Sequence, residues 1–261
     1  MLIAGVWMPK RSVANVRAQD WLAITIELAI VIIGVFIGIQ VANWNEKRLE
    51  RHETQRMLTR LKPELRNLLD LYASARTYYA TIRDYAATAF AGWRSDPKIS
   101  DRDFVVAAYQ ASQIYARFGT NNATWATIFG ADRLRTIDDP VIRNNLAFLM
   151  YSDTTQIAEG VDTPYRQNVR RVIPVEIQDA IRAECGDRSP PDNPQLFFLP
   201  RSCDLDVPQA AAATAAAALR ARPQLVDDLR WHTAAAAGLL ANMEAFEKKT
   251  SKRKEQIDSL E

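Results

Sequence analysis

Residues 21–42 read WLAITIELAIVIIGVFIGIQVA, an apolar run whose only formal charge is Glu27. At about 1.5 Å rise per residue it spans roughly 33 Å as a helix, which matches a hydrocarbon core of about 30 Å. Trp21 and Trp44 bracket it, where amphipathic indoles favour the membrane surface. The run therefore predicts a single transmembrane helix, with the lipid bilayer as the first partner. A cleavable signal peptide has a shorter apolar core, about 7 to 15 residues, and a small-x-small cleavage site. Here the candidate site after Ala42 has Gln40 at minus three, so the span is expected to be retained as an anchor.

On either side of the span lie an N-terminal tail, 1–20, and one domain, 43–261, long enough to bury a sizeable core. A hydrophobic fraction of 48% with 25% charged residues is that of a folded domain and argues against disorder. A net charge of +2, with no aromatic-basic RNA motif, sets nucleic acid aside as a partner.

Helical spacing dominates the domain. Leu58, Leu61, Leu65, Leu68, Tyr72, Ala75, Tyr79, Ile82, Ala86 and Ala89 recur at steps of three and four, the period of a packed helical seam. Pro63 interrupts this helix with an expected kink, and Gly92, Ser95 and Pro97 mark the turn that follows. A second helix is expected from Asp101 to Phe118, with Ser100 and Asp103 as a capping pair and Gly119 as its stop, then a short one over 124–129. Asp139 and Pro140 open another, as cap and first helical residue, with Ile142, Leu146, Leu149 and Ile157 at helical spacing. Pro164 and Pro174 break or bend the next stretch, Pro208 opens an alanine-rich helix to Arg222, and Pro223 opens the last. That last helix repeats the seam with Leu225, Leu229, His232, Ala236, Leu239, Met243 and Phe246. The expected fold is all-α: one transmembrane helix, then a bundle in which the two long helices pair antiparallel and return the C-terminus towards the bilayer. No strand alternation is evident apart from the ambiguous run 195–199.

Cys185 and Cys203 are the only cysteines and flank a loop rich in proline and polar residues, 186–202. A sole pair around such a loop reads as a disulfide in an oxidising compartment such as a bacterial periplasm; two reduced, buried cysteines in a cytosolic domain are the alternative. The basic residues flanking the span, Lys10, Arg11 and Arg17 before it and Lys47, Arg48, Arg51 and Arg56 after it, do not favour export of the domain. The expectation of a periplasmic domain follows the cysteines. Zinc is not expected, because His52 and His232 lack ligand spacing to the cysteines.

The run Ile26-Glu27-Leu28, then Gly34, Gly38 and Gln40, then Asn43-Trp44-Asn45-Glu46, resembles the anchor of an uncharacterised family of bacterial single-pass membrane proteins. Its members carry a Glu early in the span and a Gln-x-x-Asn-Trp-Asn-Glu exit. Thr124-Trp125 through Leu134, Ile137, Asp139-Pro140 and Arg143 is similar to that family's second recurring segment. The resemblance implies an inner-membrane anchored domain and no chemistry.

Within the span, Glu27, Gly34, Gly38 and Asn45 fall within about 20° of one line at about 100° per residue. Gly34 and Gly38 form a GxxxG pair, which lets another helix approach closely, and an ionisable group in the span costs a few kcal/mol unless paired or protonated. This face is the candidate site for association with another copy or another membrane protein. The simpler reading is that glycine is common in membrane helices and that Glu27 reaches the headgroups.

Other signals are weaker. Tyr78, Tyr79, Tyr85, Phe90, Trp93, Tyr109, Tyr115, Phe118, Trp125 and Phe129 would suit a ligand cleft between helices, although core packing explains them more cheaply. The run KKTSKRK, 248–254, could contact anionic lipid, but pairing with Glu46, Glu50 and Glu53 or a solvated helix end is the favoured reading. The chain has no phosphate-cradling glycine loop, HExxH, nucleophile elbow or Ser-x-x-Lys, so no catalytic residue, metal or cofactor is expected. The sequence thus points to a non-enzymatic anchored scaffold or accessory subunit. A ligand-binding sensory domain comes second, and a carboxylate-based enzyme third.

Overall fold

The computed structural model describes residues 11–115, 133–151, 163–194 and 196–258. Among them are seven α-helices and no strand. They are α1 (Arg11–Trp93), α2 (Asp101–Gln110), α3 (Pro140–Tyr151), α4 (Pro164–Val172), α5 (Val175–Cys185), α6 (Gln209–Arg220) and α7 (Gln224–Asp258), with a 3₁₀ turn at Arg133–Thr136. The chain divides into two compact units, Met1–Gln55 and Arg56–Glu261.

In the first unit α1 is long and apolar enough near the N-terminus to cross a membrane. Every residue from 21 to 53 is exposed, including Trp21, Leu22, Ile30, Phe36 and Trp44, each more than 60% accessible. Thr25 returns its hydroxyl hydrogen to the Trp21 carbonyl at 2.7 Å, so this polar side chain inside the apolar run is satisfied by its own helix.

In the second unit the expected seam of α1 is buried from Leu58 to Ala89, with Leu68 half-buried. Pro63 lies inside α1 without ending it. The last helix buries Leu225, Leu229, His232, Ala236 and Met243, with Leu239 and Phe246 half-buried against the same core. Two ion pairs fix the direction of the pairing. Lys62 Nζ is 3.3 Å from Asp258 Oδ1, and Arg76 Nη1 is 2.9 Å from Glu247 Oε2. Rising numbers on α1 meet falling numbers on α7, so the two helices run antiparallel. A smaller cluster joins Met57, Leu58, Leu61 and Leu65 to Ile137, Ile142, Leu146 and Ile257.

The prolines act as helix starters. Asp139 Oδ1 accepts from the Val141 and Ile142 amides at 2.7 and 3.2 Å, which caps α3 as its sequence predicts. Pro164 is the first residue of α4, while Pro174 and Pro208 sit at the N-caps of α5 and α6; Pro164 and Pro174 therefore open helices where a break or bend was expected. Small side chains on α6, Ala212, Ala215 and Ala216, are fully buried and let α2 pack closely against it.

Helix α2 begins as expected, with the Ser100 hydroxyl accepting from the Asp103 amide at 3.1 Å, but it ends at Gln110, not Phe118. A buried polar cluster marks this end. The Gln110 carboxamide donates to the Cys185 carbonyl at 2.6 Å, and the Ser112 hydroxyl donates to the Tyr109 carbonyl at 2.6 Å, taking an acceptor the next helical turn would need. Gly119, the expected short helix over 124–129, and Ile157 lie outside the described residues. The run 195–199, of which Gln195 is not described, supplies one residue to an isolated antiparallel bridge between Arg188 and Phe198.

The turn after α1 differs from its reading in one respect. Gly92 belongs to the last turn of the helix, where an added Cβ would fall 2.1 Å from the Phe104 ring. Ser95 takes the left-handed cap position at φ 56°, with Asp96 N–H bonded to Ala91 O and Ser95 N–H to Gly92 O, both at 3.1 Å. The expected outcome is opposite signs at two neighbouring sites. Gly92→Ala overpacks α1 on α2 and lowers stability by about 1–3 kcal/mol, whereas Ser95→Gly relieves a left-handed residue and raises it by up to about 1 kcal/mol. Thermal melting of the two variants checks both.

Candidate functional site

The anchor face is built on one stretch of α1. Glu27, Gly34, Gly38 and Asn45 all lie in the helix and are exposed, and a Cβ added at Gly34 or Gly38 would meet nothing within 4 Å. The exit residues Gln40, Asn43, Trp44, Asn45 and Glu46 continue the same helix. The Arg48 guanidinium lies 5.8 Å from the Trp44 ring centroid, a cation–π arrangement that holds the basic side chain along the indole.

In the domain, the Cys185 and Cys203 sulfurs are at disulfide distance, with Cα atoms 5.4 Å apart. By the loop-entropy account a bridge of this span contributes about 3 kcal/mol. The enclosed loop reaches the core through Leu199, with Leu196 and Phe197 packed against it. Tyr78 donates to Asp187 Oδ1, Tyr85 to the Pro200 carbonyl and Ser74 to the Phe197 carbonyl, each at 2.7 Å. Tyr115 donates to Ser74 Oγ at 3.1 Å, and its ring meets Phe197 edge-on.

These bonds decide between cleft and core for the aromatic residues. Tyr78, Tyr79, Tyr85, Tyr109 and Tyr115 are buried and Phe90 and Trp93 half-buried; Phe118, Trp125 and Phe129 lie outside the described residues. Burial pushes the Tyr79 and Tyr85 phenols up to about 12 and Tyr78 higher still, helped by the Asp187 charge. These groups stay protonated near neutral pH.

Sequence reasoning missed a second polar set. Arg166 and Arg170, four apart on α4, converge on Gln113 Oε1 at 3.3 and 3.0 Å. Arg170 lies 5.1 Å over the Tyr109 ring, and Arg182 donates to the Tyr109 hydroxyl at 2.9 Å. Asp187 faces this set, its carboxyl raised by burial while Tyr78, Arg166 and Arg170 pull the other way. The four-residue spacing of the arginines was a readable signal; the Tyr78–Asp187 pairing, 109 residues apart, left none.

Thr163 and His232 also pair, Oγ1 to Nδ1 at 2.6 Å, both fully buried between α4 and α7. A hydroxyl beside an imidazole resembles a nucleophile and its base, yet burial, with Arg166 nearby, holds the imidazole down to about 4. It is neutral and enclosed, a core pair. Among the described residues no cluster of His, Cys, Asp and Glu could hold a metal ion. Comparison with protein-family models, with curated proteins and with solved structures finds no match.

A histidine held neutral makes stability pH-dependent with a defined sign. The folded state binds its proton near pH 4 and the unfolded chain near 6.5, so the contribution is complete above about 6.5 and is lost as the pH falls towards 4. Asp187, raised by burial, acts in the opposite sense. At pH 5 His232 alone lowers stability by about 2 kcal/mol relative to pH 7. Denaturant unfolding at the two pH values should show His232→Gln losing less stability on acidification than the parent chain.

Proposed function

We propose that this chain is a membrane-anchored, non-enzymatic helical scaffold or accessory subunit that acts by associating with another membrane-spanning chain. One observation carries the reading. Large apolar side chains run the length of residues 21–42 without protein neighbours, and on one face of that run Glu27, Gly34, Gly38 and Asn45 align with open space at both glycines. Apolar surface of this extent is covered by lipid or by another helix. Two glycines four apart permit the close backbone approach that membrane helices use to associate. The resemblance of the anchor and its Gln40-Asn43-Trp44-Asn45-Glu46 exit to bacterial single-pass inner-membrane proteins supports the location. The disulfide-distance cysteines support a periplasmic domain. A ligand-sensing domain would want aromatic side chains lining a cleft, whereas here their hydroxyls hold the loop and neighbouring helices, which favours the scaffold.

The expected result for the span is that Gly34→Ile or Gly38→Ile abolishes self-association or partner capture while insertion persists. Gln40→Leu, on nearly the opposite side, has little effect. A cysteine-crosslinking scan from Ala23 to Val41 in native membranes reads this directly, and crosslinks that follow no helical face, or survive both glycine changes, would sink the reading. For the side of the membrane, alkylation of unreduced protein from cells should leave Cys185 and Cys203 unlabelled. Two labelled thiols would place the domain in a reducing compartment.

A further inference from the structure

Glu27 is the one ionisable residue within 21–42, and it lies six residues inside Trp21, about 9 Å along the helix axis. A helix can supply its own counter-charge from residues three or four places away. Here those places hold Ala23, Ile24, Ile30 and Val31, all apolar. The nearest basic residues along α1 are Arg17, ten places before, and Lys47, twenty after, about 15 Å and 30 Å away along the axis. Thr25, the other polar residue between Trp21 and Gln40, has its hydroxyl hydrogen committed to the Trp21 carbonyl. Glu27 is exposed, and the surrounding turns of its own helix supply no counter-charge.

What meets Glu27 is set by its angular position. It stands seven places before Gly34 and eleven before Gly38, within about 20° of each at about 100° per residue, so a helix that crosses at the glycines also passes the carboxylate. If that helix were a second copy in the same orientation, the crossing would set Glu27 against Glu27. Two carboxylates in contact away from water disfavour each other's ionisation, and neither gains a counter-charge. An ionisable group in the span is unfavourable unless it is paired or protonated. A lysine or arginine on the facing helix removes that penalty and leaves the carboxylate charged, while the glycines bring the two backbones close enough for the side chains to meet.

We propose that the partner is a different membrane protein whose own span carries a lysine or arginine at the depth of Glu27, so that an ion pair inside the bilayer and the contact at Gly34 and Gly38 form together. The inference rests on the association reading of the span and adds the chemistry of the partner. The two contacts have different roles. The glycines admit any helix that can approach closely, and the carboxylate selects among such helices, because an apolar residue at that depth leaves Glu27 unpaired and an acidic one repels it. Pairing also fixes the relative depth of the two spans, since a slip of one turn, about 5.4 Å, separates the charges.

The full-length chain with a photocrosslinking residue in place of Val31, about 40° from Glu27 on the same face, is irradiated in native membranes. One protein adduct is expected, and its crosslinked peptide lies in an apolar segment that contains Lys or Arg. Glu27→Gln, which keeps the shape and hydrogen-bonding capacity but not the charge, lowers the adduct several-fold. Glu27→Lys lowers it too, and exchanging the partner's basic residue for Glu restores it. If differently tagged copies of the chain crosslink to each other and Glu27→Gln leaves that yield unchanged or higher, the partner is a second copy and the proposal is overturned. It is also overturned if the adduct's span holds no basic residue, or if Gly34→Ile removes the adduct while Glu27→Gln does not; the span reading then stands. Absence of any protein adduct from the parent chain overturns it as well, and absence of crosslinks in the cysteine scan besides takes the span reading with it.

Discussion

Lys62 against Asp258 and Arg76 against Glu247 tie the two long helices of the domain together, and the apolar side chains between those pairs form the surface on which the remaining elements pack. Magnitudes separate the roles. A solvent-exposed ion pair contributes about 1 kcal/mol or less, while a fully buried Leu, Ile or Phe contributes about 1.5–3 kcal/mol. The pairs therefore select direction and register, and the seam supplies stability. Leu61, Leu65, Ile82, Leu225 and Leu229 are all completely buried. Slipping the register would remove both ion pairs and break the alignment of the apolar stripes.

Tyrosine in the seam of α1 has a further consequence. A seam of leucine asks only for apolar neighbours, but a buried phenol must find an acceptor or lose about 1–3 kcal/mol. Tyr78 and Tyr85 find theirs on the disulfide loop, at Asp187 and the Pro200 carbonyl. The loop is accordingly drawn onto α1 even though proline and polar residues would ordinarily keep it in solvent. The bridge at Cys185 and Cys203 and the Arg188–Phe198 backbone pair hold its two arms together so that these acceptors arrive as a group. Tyr165 repeats the pattern by donating to the Ala108 carbonyl at 2.8 Å, which joins α4 to α2.

What could be read from the sequence was whatever depends on residues near one another in the chain. The seams of α1 and α7, the Asp139 cap, the Ser100 cap and the helix openings at Pro140 and Pro208 are all set by neighbours within a turn or two, and each was legible. The end of α2 was not. Its apolar spacing continues past Gln110, and the helix end coincides with a glutamine bonded to the Cys185 carbonyl, a group 75 residues away that sequence spacing does not bring near. Gly92 was read as a turn residue because glycine usually marks turns; its actual constraint is the Phe104 ring, from another helix. The candidate face of the anchor was legible because four residues on one helix share a line. The Arg166, Arg170 and Asp187 set was not, because it is assembled from α4 and a loop that meet only in the fold.

The glycines of α1 also separate what serves the domain from what does not. Glycine inside a soluble helix costs about 0.5–1 kcal/mol relative to alanine, so it persists where something offsets that cost. At Gly92 the offset is visible, since Phe104 occupies the place of a side chain and Trp93 packs edge-on to the same ring at 5.0 Å. At Gly34 and Gly38 a Cβ would meet nothing within 4 Å, so alanine would fit both positions within this chain. Glycine is common in membrane helices, so neither residue alone marks a contact face. Their alignment with Glu27 and Asn45 along one line is a separate feature that a lipid-facing helix does not call for. On the association proposed for this span, the contact that offsets the two glycines would come from the face of a second helix.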